Sequence, residues 1–169
     1  MQISLEEIRR ISIEKEKENQ DFKTFIKTIP IKEIDELVHR LNEEVSKQID
    51  CTKCGNCCKV LEPPVTAEEV HVLSDIKNTT NKEFTQNYLA IEPGSNITYL
   101  KKQPCIFLEG NICSIYQKRP LSCADYPHLH HPHIKYRWRS VMTNYKLCPI
   151  VFNVIELLKS RLQFKSLLR

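Results

Sequence analysis

The stretch Cys51-Thr-Lys-Cys54-Gly-Asn-Cys57-Cys58 constrains this chain more than any other, because it places four thiols within eight residues. A packed core does not need thiols at that density. Two residues between cysteines let the backbone turn so that both sulfurs face one ion. Gly55 tolerates the positive φ that closes such a turn, and backbone N–H groups there are expected to point at the thiolates. The spacing therefore predicts a metal-ligand loop.

Four further cysteines follow downstream, and we predict that all eight, or most of them, meet around metal. The predicted ligands are Cys51, Cys54, Cys57, Cys58, Cys105, Cys113, Cys123 and Cys148. The alternative is a secreted protein with four disulfides, which two glycosylation sequons at Asn78 and Asn96 would fit. The adjacency of Cys57 and Cys58 argues against that alternative, as does an N-terminus without the basic start and apolar run of a signal peptide.

Composition narrows the class of protein. A chain of 169 residues with 41% hydrophobic residues is long enough for one domain with a real core. The net charge of +4 is too small to predict a nucleic-acid partner, and no stretch approaches the roughly 18 apolar residues of a membrane span. We therefore expect a cytoplasmic protein without membrane contact, in which clustered cysteines bind metal or do redox work. Metal ions are the expected partners, and a protein partner stays open.

The pattern predicts a mostly helical α+β fold, in which an irregular cysteine-rich metal-binding core with a small β-hairpin is flanked by N- and C-terminal helices. We expect a single domain over residues 1–169, with helices in 1–49, the metal-binding region in 50–149 and a last helix over 150–169. Apolar periodicity and caps predict helices at 4–17, 31–49, 66–74, 81–91 and 150–169. Residues 97–101 and 134–145 are predicted as strands. Leu167 and Leu168 extend the apolar stripe of the last helix, and Arg169 its basic end.

A hairpin is predicted around Glu109-Gly-Asn111, between Cys105-Ile-Phe-Leu and Ile112-Cys-Ser-Ile-Tyr116. Side chains alternate with period two along a strand. A three-residue loop would place Cys105 and Cys113 on one face, whereas a two-residue loop would separate them. A common metal site therefore predicts the three-residue loop.

Two other features lie near the cysteines. Arg119-Pro120 precedes one predicted helical turn that carries Cys123. Two interpretations of Arg119 are open: it bonds a carbonyl or offsets thiolate charge, or it is an ordinary surface arginine. His128, His130, His131 and His133 form a dense tract in which imidazoles suit Zn, Cu, Fe or Ni. The alternative for that tract is an exposed loop bounded by prolines.

Four blocks of this sequence agree in spacing and flanking residues with a known family. The blocks are Cys51-x2-Cys54-Gly-x-Cys57-Cys58, Pro-Cys105-Ile-Phe-Leu, Cys113-Ser-Ile-Tyr116-x2-Arg119-Pro120-x2-Cys123 and Cys148-Pro149. Over about residues 50–150 the chain resembles the CxxCxxCC family, also called the YkgJ-like zinc- or iron-chelating family. The resemblance implies a cysteine-rich metal-binding domain, often with an iron–sulfur cluster. The cysteine region is also similar to that of flagellin lysine N-methylases. The chain departs from the family pattern after Cys123, where Ala124 replaces an arginine and Tyr126-Pro127 a Phe-Pro pair.

Thiolate-rich sites suit zinc, Cu(I) or iron–sulfur clusters. Eight sulfurs exceed the four that one tetrahedral ion takes, and the side chains of Cys57 and Cys58 are expected to diverge. Two centres or one polynuclear centre fit better, and Cys-x2-Cys-x2-Cys is also found in bacterial ferredoxins. We expect an iron–sulfur cluster or zinc, and the pattern favours iron–sulfur.

Three functions are consistent with this sequence. The first is a metal-binding protein whose centre is structural or redox-active. The second is an iron–sulfur-dependent enzyme related to lysine N-methylases, although the chain has three glycines and no Gly-rich nucleotide loop. The third is a metal carrier or store, with the histidine tract as its loading site. Whether the protein is an enzyme is not decided by the sequence.

Overall fold

The computed structural model describes residues 1–101 and 103–166. These residues form ten helices: α1 (Leu5–Glu14), α2 (Glu16–Ile26), α3 (Ile31–Ser46), α4 (Cys51–Cys54), α5 (Asn56–Val60), α6 (Ala67–Ile76), α7 (Asn81–Tyr88), α8 (Leu121–Ala124), α9 (Trp138–Tyr145) and α10 (Pro149–Arg161). They also form five short strands: β1 (Pro64–Val65), β2 (Leu89–Ile91), β3 (Thr98–Leu100), β4 (Leu108–Glu109) and β5 (Ile112–Cys113). The predicted mostly helical α+β class is therefore confirmed.

The described chain divides into two compact units. The terminal unit comprises Met1–Asp50 and the chain from Pro127 onward, and the cysteine unit comprises Cys51–Tyr126. The single domain predicted over residues 1–169 stays a prediction. Each unit has its own hydrophobic core.

The terminal unit is built around α10, which contacts α1, α3 and α9. Ile150, Val154 and Leu158 of the predicted apolar stripe are buried, but so are Val151 and Ile155 on other faces. A helix that is apolar around most of its circumference is a core helix. α3 packs its predicted stripe in the same core, with Ile34, Val38, Leu41 and Val45 buried.

Two predicted elements of this unit are wrong. The last helix ends at Arg161 instead of continuing to residue 169, and Leu167, Leu168 and Arg169 lie outside the described residues. Residues 138–145 are the helix α9 and not a strand. The buried residues Trp138, Val141 and Tyr145 have the helical spacing i, i+3, i+7, whereas Tyr136, which the strand alternation required to be inward, is 84% exposed.

A network of buried and partly buried charged side chains lies beside α10. The Nζ of Lys159, a residue only 5% exposed, donates to Glu18 Oε1 and Glu156 Oε1, both at 2.7 Å. The Tyr145 hydroxyl donates to Glu156 at 2.9 Å, and Lys15 donates to its other oxygen. Burial alone would raise the pKa of Glu156, but hydrogen bonds from Lys15 and Lys159 outweigh it and lower the pKa. The carboxylate form of Glu156 therefore stabilises the folded unit.

The scaffold of the cysteine unit combines a three-stranded sheet with α6 and α7. β1 and β2 pair antiparallel with the central β3, with Leu89 opposite Leu100. Thr66 and Thr80 cap α6 and α7 through capping boxes with Glu69 and Glu83. The apolar core of this unit comprises Val65, Leu73, Phe84, Leu89, Leu100, Phe107 and Ile115. Cys105 and Cys113 pack against that core, so the scaffold positions two of the thiols directly.

In the described part of the chain, no single helix has the length and apolarity needed to cross a membrane. α9 and α10 reach those values only when they are counted together, and they are bent by 115° relative to each other.

Replacing Glu156 with glutamine should destabilise the terminal unit by about 1–2 kcal/mol at pH 7, because a neutral amide cannot pair with two ammonium groups. A carboxyl group whose pKa is lower in the folded state than in the unfolded state stabilises the fold at pH values above its unfolded pKa. That contribution is lost as the pH falls through the folded pKa. The difference between wild type and Glu156→Gln should therefore shrink below about pH 4.5. Chemical unfolding at several pH values measures this. Glu36→Gln, at a largely exposed position, is the control and should change little. An undiminished difference at acid pH would contradict the assignment.

Candidate metal centre

The first four cysteines lie on an elbow made by two short helices, α4 and α5. Gly55 joins the helices with φ +58°, and its N–H donates to the Cys51 carbonyl at 3.2 Å. The predicted left-handed turn at Gly55 is thus confirmed. Cys51 and Cys54 lie on α4, and Cys57 and Cys58 on α5. The turn lets two helical segments present their thiols within eight residues of chain.

The tip of the β4–β5 hairpin packs against this elbow. A Cβ added to Gly55 would lie 2.6 Å from the Asn111 carbonyl oxygen, so the backbones approach too closely for any side chain. Lys59 Nζ donates to Asn111 Oδ1 at 2.5 Å, and the Asn111 amide reaches the Lys53 carbonyl at 3.5 Å. The hairpin that carries Cys113 is therefore fixed against the loop that carries Cys58.

Cys105 is joined to the same loop by its own backbone, because its N–H donates to the Cys58 carbonyl at 2.8 Å.

The hairpin register differs from the prediction. Leu108 pairs with Cys113 and Glu109 with Ile112, so the loop has two residues and not three. Cys105 nevertheless comes near Cys113, because the Leu108 N–H donates to the Cys105 carbonyl in a turn before β4. Period-two alternation does not extend through that turn, so the loop-length argument fails.

Cys123 lies on α8, the predicted helical turn after Pro120. Two contacts hold α8 to the scaffold. The Leu121 N–H donates to Glu69 Oε1 at 2.6 Å, and the Ser122 hydroxyl donates to the Pro64 carbonyl at 2.8 Å. Glu69 uses its other oxygen in the capping box of α6, so one carboxylate positions both helix starts.

Four of the thiols form a mutually interacting group, which we call the thiol quartet: Cys58, Cys105, Cys113 and Cys123. Every pair within it is close enough for the negative charge of one to raise the pKa of another. Burial is the largest cause for three of them and raises the pKa of Cys123 to about 12. For Cys58 the largest cause is its hydrogen bond with Cys57, followed by burial. Holding this group as thiolates therefore requires a compensating cation.

Backbone N–H groups partly offset that cost. The N–H of Phe107 donates to the Cys105 thiol, and the N–H of Ile115 donates to the Cys113 thiol, and each lowers the pKa of its cysteine. N–H groups two residues after a cysteine stabilise a thiolate ligand. Both hairpin thiols are thus prepared for the charged form.

Cys57 lies beside the quartet, with its Sγ 3.9 Å from that of Cys58. The expected divergence of these adjacent side chains is therefore wrong. Cys54, Cys57 and the four quartet members form no disulfide, and a four-disulfide framework would need all eight cysteines.

Arg119 provides a positive charge at the quartet. Its charge lowers the pKa of Cys58 and of Cys113. This agrees with the interpretation, made from the sequence, that Arg119 offsets thiolate charge. The guanidinium stacks on the Tyr116 ring at 3.6 Å, while its Nε and Nη1 are buried without an acceptor among the described residues. A buried N–H that lacks an acceptor costs about 1–3 kcal/mol. Sulfur ligands of a bound centre would supply that acceptor, so these residues fit a thiolate-bound iron or zinc centre.

The remaining predicted ligands are placed differently. Cys51 is exposed on α4, and Cys148 is buried in the terminal unit at the start of α10. Their ligand roles stay predictions. The sequence did not identify Asn111 or Glu69 as residues that position the thiols. The capping-box motif indicated Glu69 only as a helix cap. Its hydrogen bond with the Leu121 N–H joins residues 52 positions apart, so no pattern of neighbouring residues predicts it.

A scaffold that gathers thiols from four separate segments and backs them with a buried guanidinium defines a cysteine-rich metal-chelating domain. The sequence comparison agrees, since residues 50–149 match CxxCxxCC, described as "Putative zinc- or iron-chelating domain". The chain belongs to this family, which confirms the resemblance noted above. No curated protein and no solved structure matched the chain.

Gly55→Ala should destabilise the cysteine unit by about 2 kcal/mol or more, because it adds left-handed strain and drives a Cβ into the Asn111 carbonyl. Gly110→Ala is the matched control, since Gly110 also has positive φ but an added Cβ there meets nothing within 4 Å. That variant should cost about 1 kcal/mol. Chemical unfolding and metal content measure both. Equal effects of the two substitutions would show that the hairpin tip does not press on the elbow.

Proposed function

We propose that the thiol quartet binds one metal centre and that this centre is an iron–sulfur cluster with a redox or structural role. The observation that carries the proposal is the mutual coupling of the four partly buried thiols, which raise one another's pKa values. Metal charge offsets that repulsion and keeps the sulfurs deprotonated. Metal chelation itself follows from membership of the family.

The spacing of the sulfurs supports a cluster over a single zinc ion. Within the cysteine unit, no three thiol sulfurs lie within 4.8 Å of one another. A tetrahedral zinc site with Zn–S distances of about 2.3 Å holds all its sulfurs roughly 3.8 Å apart. In a cluster each thiolate binds its own iron, and wider separations are accommodated. When bound, such a cluster supplies one-electron transfer.

Zinc is the second candidate, favoured by one specific contact. The 3.9 Å separation of the Cys57 and Cys58 sulfurs equals what a single tetrahedral ion requires. In this second candidate Cys57 and Cys58 bind a zinc ion in place of the cluster, with Cys51 and Cys54 as the further ligands. The predicted ligand role of Cys148 is tested by Cys148→Ser, with metal content as the measurement.

The surroundings of the quartet favour redox chemistry over a sealed structural site. All four thiols of the quartet are only partly buried. A closed ligand set is typical of structural metals, whereas an open coordination position is typical of metals that take part in a reaction. We propose a cytoplasmic location, where reduced thiols persist.

Anaerobic purification followed by elemental and sulfide analysis tests the proposal. We expect iron with inorganic sulfide and a broad absorption near about 400 nm that bleaches on reduction. A colourless protein that contains zinc and no sulfide would refute the cluster but retain the chelating site. Absence of both metals after anaerobic purification would refute the site.

Serine variants identify the ligands by the same measurement. Cys58→Ser, Cys105→Ser, Cys113→Ser and Cys123→Ser should each abolish or strongly reduce the metal of the quartet. Cys51→Ser and Cys54→Ser are the matched controls within the same loop, and they should leave that absorption in place. Equal loss in all six variants would contradict a quartet that is distinct from its neighbours.

Arg119→Leu should weaken metal retention about 10–100-fold, because it removes two buried N–H donors and a charge that offsets thiolate charge. Competition with a chelator measures retention, and spectroelectrochemistry should show a lower reduction potential. Arg119→Lys should be intermediate, since it keeps the charge but loses the planar fork. Lys118→Leu is the control, because Lys118 is an exposed cation one residue earlier. If Arg119→Leu behaves like Lys118→Leu, Arg119 does not act on the centre.

A further inference from the structure

The histidine tract lies in the terminal unit and has no part in the thiol quartet. Residues 128–133, which we call the histidine loop, connect Pro127 to the segment before α9. His130, His131 and His133 are exposed, and His128 is partly buried. Four imidazoles within six residues need a physical account of their own.

Contacts through backbone atoms hold this loop. The carboxylate of Asp35, a residue on α3 that is only 8% exposed, accepts the His133 N–H at 2.6 Å and the Ile134 N–H at 3.0 Å. Arg137 donates to the carbonyls of His128 at 2.9 Å and Pro132 at 3.1 Å, and also to that of His131. These bonds use no imidazole nitrogen. Two buried or partly buried charges thus fix the loop from its backbone side.

The backbone itself is unusual at two of the histidines. His128 and His133 have φ values of +62° and +63°, in the left-handed region that costs a non-glycine residue about 1–2 kcal/mol. Such conformations persist where surrounding contacts determine them, and they are frequent at binding sites. Here the contacts are those of Asp35 and Arg137.

The fixed loop brings imidazoles together. The rings of His130 and His131 are 4.5 Å apart between centroids, and a nitrogen of one lies within 4.8 Å of a nitrogen of the other. The ring of His128 lies 5.9 Å from that of His131. Imidazoles that bind zinc at about 2.0–2.1 Å lie roughly 3.3 Å apart at their nitrogens. Exposed side chains cover the remaining distance by small rotamer adjustments.

We propose that the histidine loop is a second metal site, which binds one divalent transition-metal ion through His130 and His131, with His128 as a third ligand. Neutral imidazoles select borderline ions such as Ni²⁺ and Zn²⁺, whereas thiolates select soft metals and iron–sulfur clusters. The exposure of the two principal ligands makes this an exchangeable site. It does not depend on the thiol quartet or on the metal bound there.

Titration of the tag-free 169-residue chain, as purified, with Ni²⁺ in a calorimeter tests this site. We expect saturable binding at one ion per chain that disappears in the double variant His130→Ala/His131→Ala. The thermal unfolding midpoint of the same variant shows whether the fold is retained. If the midpoint changes, His130→Gln/His131→Gln provides the same test with less loss of contact area.

His133→Asn is the matched control. It removes an exposed imidazole from the same loop, keeps the backbone N–H that Asp35 accepts, and asparagine tolerates the left-handed conformation. Ni²⁺ binding should be retained in this variant. Absence of saturable binding in the wild type, or equal binding in the double variant, would overturn the proposal.

Discussion

Repulsion among closely placed thiolates is the constraint on which the cysteine unit depends. Burial and neighbouring sulfurs raise the pKa values of Cys105, Cys113 and Cys123, so an uncompensated quartet would stay protonated. A core that needed only packing would use aliphatic residues, which carry no such cost. The arrangement becomes favourable when a cation is bound, and metal affinity then contributes to the stability of the fold.

The scaffold meets this constraint with short connections from each ligand segment to the next. Cys105 bonds the backbone of Cys58, Asn111 presses on Gly55, and Glu69 holds the start of α8. None of these contacts uses a thiol, so the sulfurs remain available to metal. Arg119 contributes positive charge at both Cys58 and Cys113, and its buried Nε and Nη1 have no acceptor within the part of the chain that the structure describes. Geometry and charge therefore favour the same conclusion, a chelating site.

Local signals made much of this structure predictable. The Cys-x2-Cys spacing, the turn at Gly55 and the capping box at Thr66 each depend on neighbours a few residues away, and the structure has the turn and that cap. The family was recognisable for the same reason, because its motifs are short and specific. The position of Cys123 after Pro120 also followed from local chain geometry.

Prediction failed where the decisive contact is distant or the pattern is ambiguous. Ile134, Tyr136 and Trp138 alternate like a strand, but the burial of Val141 and Tyr145 makes the segment after Arg137 helical. α2 was not predicted, because its charged residues outnumber Phe22 and Ile26, the apolar residues that it buries. The two-residue hairpin loop was missed because a turn at Cys105 replaces strand alternation. Asp35 anchors residues about 100 positions away, and no sequence pattern indicates that bond.

Anomalous diffraction from crystals of the metal-loaded protein, recorded at the iron and zinc absorption edges, tests the central claim most directly. The account predicts an anomalous iron peak within bonding distance of the sulfurs of Cys58, Cys105, Cys113 and Cys123. It would be contradicted if those four sulfurs had no anomalous density between them, or if they were joined as disulfides.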